Sequence, residues 1–286
     1  MTWRAKAYLA AGRHRICALL ALTVAAPLLG CASGGAAGGA QAGSSAPGTL
    51  VAIFAHPDDE TIVSAALAHY AREGSKVYLI VATDGRKGAA PHAHIPAGDS
   101  LAKVRADEAR CSATALGVQP PILLGFEDAG LAVLSPWPGE PLDRMGKQLA
   151  DTLRALRPDA VITWGAEGGY GHQDHRLVGD VVTQLFQSGA VADGTKLYYV
   201  GFTPERLAGA QRWYGTHVYP TAPAYLTAHV AYDAQDRDAV RRAIACHRSQ
   251  ATEAEQEESF ATLQHLWNGT VAFQQWRGGP VRSRLF

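Results

Sequence analysis

Short apolar runs rich in β-branched residues alternate with amphipathic helical patterns from residue 49 onward. Runs of this kind are typical of buried strands, and the chain has five: "TLVAIFA" (49–55), "KVYLIVAT" (76–83), "PILLGF" (121–126), "DAVITW" (159–164) and "KLYYVGF" (196–202). Helical patterns lie between them, near residues 60–73, 100–116, 143–156 and 174–188. The alternation predicts an α/β fold with a mostly parallel sheet, right-handed crossovers and helices on both faces.

This alternation weakens beyond about residue 204. The segments "DAQDRDAVRRAIACHRSQ" (233–250) and "TEAEQEESFATLQHLW" (252–267) still carry helical patterns. Both begin with acidic residues, which suit the positive end of a helix dipole. We predict that they form a C-terminal helical extension packed on the same domain, because 286 residues with 47% hydrophobic content can bury one sizeable core.

The N-terminus has the layout of an export signal. Residues 1–30 have a basic start, followed by the apolar run "ICALLALTVAAPLLG", which is too short for a membrane span. The run ends in "LLGC", which resembles the lipobox of bacterial lipoproteins, so we predict a lipoprotein signal peptide over 1–30 and lipidation of Cys31. The alternative is an ordinary signal peptide cleaved after one of the alanines.

Residues 31–48 are small and carry no apolar periodicity, as expected of a flexible tether, and the domain is predicted to span 49–286. The sequence therefore predicts an exported bacterial lipoprotein, held at a membrane of the cell envelope by an N-terminal lipid anchor. It would face the periplasm from the outer membrane in a Gram-negative source.

The charge of the chain argues against nucleic acid as a partner. Lys plus Arg equals Asp plus Glu at 26 each, but four of the basic residues, Arg4, Lys6, Arg13 and Arg15, fall in the export signal. Without them the net charge is −4. No basic stripe remains that would neutralise a phosphate backbone.

Polar clusters follow four of the predicted strands. They are "HPDDE" (56–60), "DGRKG" (84–88), "EDAG" (127–130) and "GAEGGYGHQDH" (165–175). Ligands of open α/β sheets bind outside the carboxyl ends of the strands. We therefore expect these four loops to meet at one crevice.

Two pairs of side chains in these clusters have a spacing that suits a metal. His56 and Asp59 are three residues apart, and so are His172 and His175. Three of these four would make a His, Asp, His set, and catalytic zinc sites use three such ligands and leave a position for water. Asp58 projects in another direction and could take a proton from that water.

A structural alternative exists for the first cluster. Pro57 can occupy the first position of a helix, where free backbone N–H groups favour the carboxylates of residues 58–60. "HPDDE" alone could therefore be an N-terminal capping cluster.

The motifs together resemble the LmbE/PIG-L family of zinc-dependent N-acetylglucosaminyl-type deacetylases. The resemblance runs from about residue 49 to 250. It is carried by "AHPDDE" (55–60), "TDG" (83–85), "RADE" (105–108), "FEDAGL" (126–131), "GGYGHQDH" (168–175) and "HRSQ" (247–250). It implies a Rossmann-like sheet, in agreement with the fold predicted from the alternation of elements.

The resemblance also implies roles for individual residues. His56, Asp59 and His175 are expected to bind Zn²⁺, with iron(II) as the other possible native metal, and Asp58 is expected to act as general base and acid. Tyr170 and His172 are implied to steady the developing oxyanion.

Three further residues are assigned by the resemblance alone. Asp174 is implied to orient a histidine. Arg105 and Asp128 fall where the family contacts polar groups of its small-molecule substrate.

The predicted function is a metal-dependent hydrolase that removes the acetyl group from an N-acetylated sugar or a related small molecule. One alternative is an amidase acting on another small-molecule amide conjugate. A second is an inactive, lipid-tethered carbohydrate-binding protein, but such a protein has no need of Asp58 as a base beside an intact ligand set.

Cysteine usage leaves one question open. Once the signal peptide is removed and Cys31 is lipidated, Cys111 and Cys246 remain. They could form one disulfide in an oxidising compartment, or remain two buried thiols on separate helices. The resemblance makes pairing conceivable, since it brings the "RADE" helix near the "HRSQ" helix.

Overall fold

A seven-stranded sheet with the order β3-β2-β1-β4-β5-β7-β6 forms the centre of the fold. The computed structural model describes residues 47–132, 141–208, 210 and 218–286. The strands are β1 (Thr49–Phe54), β2 (Lys76–Thr83), β3 (Ile122–Phe126), β4 (Ala160–Thr163), β5 (Lys196–Val200), β6 (Leu226–Ala231) and β7 (Thr270–Gln275). Strands β1 to β5 run parallel to one another, whereas β7 runs antiparallel to both β5 and β6.

Helices cover both faces of this sheet. They are α1 (Ser64–Arg72), α2 (Asp99–Leu116), α3 (Leu142–Leu156), α4 (Gly168–Gly171), α5 (Gln173–Gln187), α6 (Pro204–Ala208), α7 (Ala234–Ile244) and α8 (Glu253–Trp267). Short 3-10 turns lie at Asp59–Val63, Pro91–Ala93 and Pro223–Tyr225.

The side chains of β1 alternate between two apolar cores. Leu50, Ala52 and Phe54 pack in a cluster with residues of α1, α2, α7 and α8. Val51 and Ile53 pack in a second cluster with residues of α3 and α5. Because successive side chains of a strand point to opposite faces, β1 is buried on both sides, and the predicted α/β architecture is confirmed.

Strands β6 and β7 were not predicted. The C-terminal region contains the two expected helices, α7 and α8, but it also adds this antiparallel pair to the sheet. Both strands have three consecutive buried residues, Leu226–Ala228 and Val271–Phe273, so they lack the alternation that distinguishes a short strand from a helix segment.

The strand order reverses between β1 and β4. Chain connections leave in opposite directions from these neighbours, to β2 on one side and to β5 on the other. Ligands of doubly wound sheets bind at such a switch point, outside the carboxyl ends of the strands. The "HPDDE" cluster follows β1 and the "GHQDH" cluster follows β4, so the fold brings both to this point.

The predicted signal peptide, Cys31 and nearly all of the predicted tether lie outside the described residues. Within the part of the chain that is described, every helix is too short or too polar to cross a membrane.

Cys111 and Cys246 form a disulfide, which decides between the two alternatives left open by the sequence. The bond joins α2 to the segment that follows α7, with the Cα atoms 5.7 Å apart. It closes a loop with a sequence separation of 135 residues. Closing a long loop restricts the unfolded chain and so stabilises the native state.

We predict that the double variant Cys111→Ser/Cys246→Ser loses about 2–5 kcal/mol of unfolding free energy, the usual cost of removing a native disulfide. Urea denaturation under non-reducing conditions measures this change. Alkylation of both thiols in the unfolded, unreduced wild-type protein would contradict the assignment.

Candidate active site and metal centre

The carboxylate of Asp59 is turned back toward the end of β1. Its Oδ2 accepts the backbone N–H groups of Ala55 at 3.0 Å and His56 at 2.9 Å, and the indole N–H of Trp164 at 3.3 Å. Asp58, the N-cap residue of the 3-10 turn that follows, makes no side-chain cap hydrogen bond. The motif therefore caps its own turn only through Glu60, which accepts the backbone N–H of Asp58, and Oδ1 of Asp59 is left facing His175 Nε2 at 3.1 Å.

The ring of His175 is fixed by the backbone of the loop after β4. Its Nδ1 lies 3.1 Å from the carbonyl oxygen of Gly168, which can only accept, so Nδ1 carries the proton and Nε2 presents a lone pair. Gly168 has a φ of +61°, which a residue with a Cβ adopts only at a cost. The indole of Trp164 stacks on the ring at 4.4 Å between centroids.

His56 is oriented by two carboxylates. Its Nε2 lies 3.3 Å from Asp128 Oδ1 and 3.4 Å from Asp174 Oδ2, while its Nδ1 lies 3.1 Å from His175 Nε2. Burial alone would lower the pKa of His56, but the neighbouring carboxylates of Asp128, Asp174 and Asp59 outweigh it and raise this pKa to about 12. The position therefore strongly favours a positive charge.

These contacts fit a divalent cation. His56 Nδ1, Asp59 Oδ1 and His175 Nε2 converge. The outer nitrogen of His175 is hydrogen-bonded to the Gly168 carbonyl oxygen, and that of His56 faces the Asp128 carboxylate at 3.3 Å. Two ring nitrogens facing each other at 3.1 Å, beside a carboxylate oxygen, are the donors that zinc and similar metals prefer. All three side chains are nearly buried.

Two other sets of side chains place potential ligand atoms within 4.8 Å of one another. One contains His172 with His56 and His175. The other contains His56 with Asp128 and Asp174, but Oδ2 of each aspartate already accepts a backbone N–H, from Lys87 and Ala129 respectively. The second set is buried behind His56 and does not line the cavity described below.

His172 presents a donor to the site. It is the N-cap of α5, and its Nδ1 accepts the backbone N–H of Asp174 at 3.2 Å. In the neutral ring the proton therefore resides on Nε2. Burial and the charges of the nearby histidines lower the pKa of His172, which keeps the ring neutral near pH 7.

Asp58 lies beside the ligands without joining them. Its backbone has φ 141° and ψ −19°, a conformation that residues with a Cβ rarely adopt. Its Oδ2 accepts a hydrogen bond from Arg105 Nη2 at 2.8 Å. Burial raises the pKa of Asp58, with the Arg105 charge opposing and the Asp59 charge adding to the shift, and a raised pKa suits a group that accepts a proton.

Arg105 and Asp128 both lie beside the proposed catalytic and metal-binding side chains. Arg105 is 3% exposed, and it donates to the carbonyl oxygens of Gly85 and Pro57 as well as to Asp58. Asp128 is 6% exposed and faces His56. Neither is among the lining residues of the cavity described below, and neither are His56 and His172. Contact of Arg105 and Asp128 with the substrate therefore stays a prediction.

A cavity of about 740 Å³ opens over this group. Asp58, Asp59, His175 and Tyr170 line its floor, and residues of α7, α8 and the segment between them form the opposite wall. The Tyr170 ring lies 5.2 Å from His175 and 5.8 Å from His172. Burial and the nearby Asp59 and Asp58 raise the pKa of Tyr170, so its hydroxyl remains a hydrogen-bond donor.

Comparison with known proteins identifies the family. The model "PIG-L: GlcNAc-PI de-N-acetylase" matches residues 51–186. A 1D-myo-inositol 2-acetamido-2-deoxy-alpha-D-glucopyranoside deacetylase of Acidothermus cellulolyticus is 31% identical, over 75% of this chain and 82% of that protein. The chain belongs to the PIG-L family. The resemblance seen in the sequence motifs is thereby confirmed.

The chain spans only about half the length of other curated PIG-L relatives with the same printed name, 57%, 48% and 54% in three cases. Solved structures share the fold. An N,N'-diacetylchitobiose deacetylase from Pyrococcus horikoshii is 20% identical with a TM-score of 0.59, over 80% of this chain and 84% of that chain.

The same fold also occurs in a protein with a different printed activity. GalB, the 4-carboxy-2-hydroxymuconate hydratase of Pseudomonas putida, is 14% identical with a TM-score of 0.54, over 80% of this chain and 96% of that chain. The PIG-L fold therefore does not by itself determine the reaction, which depends on the side chains of the site.

Three residues of this PIG-L site were missed by sequence reasoning. Trp164 ends a predicted strand, and an aromatic residue directly before a glycine-rich polar cluster was the available signal. Glu60 and His247 are buried and in contact at 2.8 Å although 187 residues separate them. Both belong to motifs quoted above, but nothing in the spacing shows that they meet.

We predict that Zn²⁺ binding to the metal-free protein at pH 7 releases about one proton, since His56 must lose its second proton to become a ligand. Calorimetry in buffers of different ionisation enthalpy measures the release. The variant His94→Gln, on the exposed turn after Pro91–Ala93, is the control and should release the same number. Binding without proton release would contradict the assignment of His56 Nδ1 as a ligand.

Proposed function

We propose that the protein is a zinc-dependent N-deacetylase that hydrolyses the acetamide of an N-acetylated sugar. The observation that carries the proposal is the convergence of His56 Nδ1, Asp59 Oδ1 and His175 Nε2 next to a cavity that Asp58, Asp59 and His175 line. The printed names of the relatives support the substrate class. Two histidines and one carboxylate bind zinc and iron(II) alike, so iron(II) is the alternative native metal.

Asp58 would act as the general base and then as the general acid. A divalent ion held by His56, Asp59 and His175 would supply Lewis-acid activation of water and of the amide carbonyl. Asp58 accepts the proton of the attacking water and returns it to the leaving amine as the C–N bond breaks. The hydrogen bond from Arg105 fixes the direction of its carboxylate.

His172 and Tyr170 would stabilise the oxygen that gains negative charge. His172 carries a proton on Nε2 of a neutral ring, and Tyr170, which lines the cavity, carries one on a phenol with a raised pKa. Donors held in place where charge develops lower the barrier. Asp174 orients two histidines. Its backbone N–H donates to Nδ1 of His172, and its carboxylate faces Nε2 of His56.

The lining of the cavity favours a neutral or cationic substrate. Asp58, Asp59, Glu255 and Glu258 are among its described lining residues, and lysine and arginine are not. The Glu255 carboxylate is hydrogen-bonded in the capping box of α8, whereas Glu258 is exposed on the same helix. A phosphorylated substrate would meet repulsion from this wall.

The experiment that tests the function incubates the zinc-loaded protein with N-acetylglucosamine and its neutral glycosides. We expect acetate and free amine in equal amounts. Release of a larger acid together with an amine would instead support the amidase alternative, and binding without any product would support the carbohydrate-binding protein.

The two adjacent aspartates should respond differently to substitution. We predict that Asp58→Asn keeps about one zinc per chain while kcat falls by about 10²–10⁴, the usual contribution of general acid–base catalysis. The matched variant Asp59→Ala should lose its metal, because it removes a ligand. Metal analysis and turnover on the same samples measure both effects, and an Asp58→Asn protein without metal would show the roles to be misassigned.

We predict that Glu258→Gln raises kcat/KM for a phosphorylated N-acetylglucosamine relative to the neutral sugar, by up to about fivefold because the carboxylate is exposed. The control Glu253→Gln lies on the same helix outside the cavity lining. An equal change for both sugars would count against the charge argument.

We also propose that the protein is an exported lipoprotein with residues 1–30 as signal peptide, 31–48 as tether and 49–286 as the catalytic domain. Support comes from the sequence of the N-terminus and from the disulfide, which is typical of oxidising compartments.

We predict that the wild-type chain is recovered with membranes and carries lipid on Cys31, whereas Cys31→Ser is not processed as a lipoprotein. Fractionation and mass spectrometry of the N-terminus measure this. A Cys31→Ser chain that is processed and still membrane-bound would contradict the anchor.

A further inference from the structure

A fully buried carboxylate lies directly behind the proposed base. Glu60 has 0% exposure and does not line the cavity. Its Oε1 accepts hydrogen bonds from Ser112 Oγ and from His247 Nε2, the latter at 2.8 Å. Its Oε2 accepts the backbone N–H of Asp58 at 3.1 Å. The proposed mechanism gives Glu60 no part in proton transfer, yet burying a carboxylate is costly unless such bonds compensate.

The backbone of Asp58 needs external support. Its φ of 141° lies in a region where a Cβ is unfavourable, and such conformations persist only when the surroundings hold them in place. Glu60 holds the N–H of this residue, and Thr61 donates its own N–H and hydroxyl to the carbonyl oxygen at 3.0 and 2.7 Å. The direction in which the Asp58 carboxylate points is set by this conformation.

The two donors to Oε1 of Glu60 come from separate parts of the chain that are covalently joined. Ser112 lies on α2, one residue after Cys111, and His247 lies after α7, one residue after Cys246. The disulfide therefore joins the immediate neighbours of both donors. Glu108 adds a second connection between the same segments, since its carboxylate accepts the N–H and hydroxyl of Ser249 at 2.6 and 2.7 Å.

We propose that Glu60 is a positioning residue for Asp58 and that the Cys111–Cys246 disulfide acts on the active site through it, by keeping Ser112 and His247 on one carboxylate oxygen. This rests on the proposed role of Asp58 in deacetylation. Loss of Glu60 lets the strained backbone of Asp58 relax and turns its carboxylate away from the reacting water. Substrate and metal binding do not depend on Glu60.

The first test is Glu60→Gln, which keeps the shape of the side chain but replaces one acceptor oxygen by an amide that donates. We expect kcat to fall about 10²-fold, the usual effect of a small misplacement, with KM and zinc content unchanged. Ser112→Ala removes one donor and leaves the carboxylate intact, so it should give a smaller loss of kcat with KM unchanged. This variant tests the same contact if Glu60→Gln does not fold. The control Glu73→Gln removes an exposed ion pair with Arg284 and should change neither value.

Amide exchange gives a readout that does not need activity. Hydrogen exchange at the Asp58 amide should be faster in folded Glu60→Gln than in wild type, and unchanged in Glu73→Gln. If wild type released no acetate from any substrate, the proposed function would fail while exchange still reported on Glu60. Unchanged exchange and kcat in folded Glu60→Gln would overturn the positioning role.

The disulfide is tested by a double-variant cycle. Cys111→Ser/Cys246→Ser should lose part of kcat with KM and zinc unchanged, and it should speed exchange at the Asp58 amide. Adding Glu60→Gln to it should cost no more than Glu60→Gln alone, since both act through one contact. Losses that multiply, or full activity after removal of the disulfide, would overturn the connection.

Discussion

The structure depends on the concentration of buried negative charge around two histidine rings. Asp59, Asp128 and Asp174 all have carboxylate oxygens near His56, and Asp59 also faces His175. Placing three carboxylates in a buried site is unfavourable unless a cation offsets them. The same charges raise the pKa of His56 to about 12, although burial opposes this. A proton and a metal ion therefore compete for this position.

The fold supplies this arrangement at the switch point of the sheet. The loop after β1 provides His56, Asp58 and Asp59, and the loop after β4 provides His172 and His175. Backbone groups then fix each side chain. Two N–H groups at the end of β1 hold Asp59, the carbonyl oxygen of Gly168 holds His175, and the first turn of α5 holds His172. These contacts explain why His172, so close to the other rings, presents a proton rather than a lone pair.

Much of the fold and the candidate metal ligands could be predicted from the sequence. The features that were not predicted have physical reasons. Five strands and the helices between them follow from apolar periodicity, and the ligand candidates follow from the spacing of His and Asp at strand ends. Strands β6 and β7 were not predicted because their buried runs show no alternation of apolar and polar residues. The contacts of Arg105 with Asp58 and of Asp128 with His56 could not be predicted, because motif position does not tell which way a side chain faces. The contact between Glu60 and His247 depends on packing between distant segments, which a single sequence does not encode in any readable spacing.

The position of the bound ion distinguishes the ligand set His56, Asp59 and His175 from the two other sets near it. Anomalous scattering measured at the zinc edge, on crystals of the zinc-loaded protein, locates the metal independently of any assumption about its ligands. We predict one peak between His56 Nδ1, Asp59 Oδ1 and His175 Nε2, with Asp58 and His172 outside coordination distance. A peak between His56 Nε2, Asp128 and Asp174, or one coordinated by His172, would contradict it.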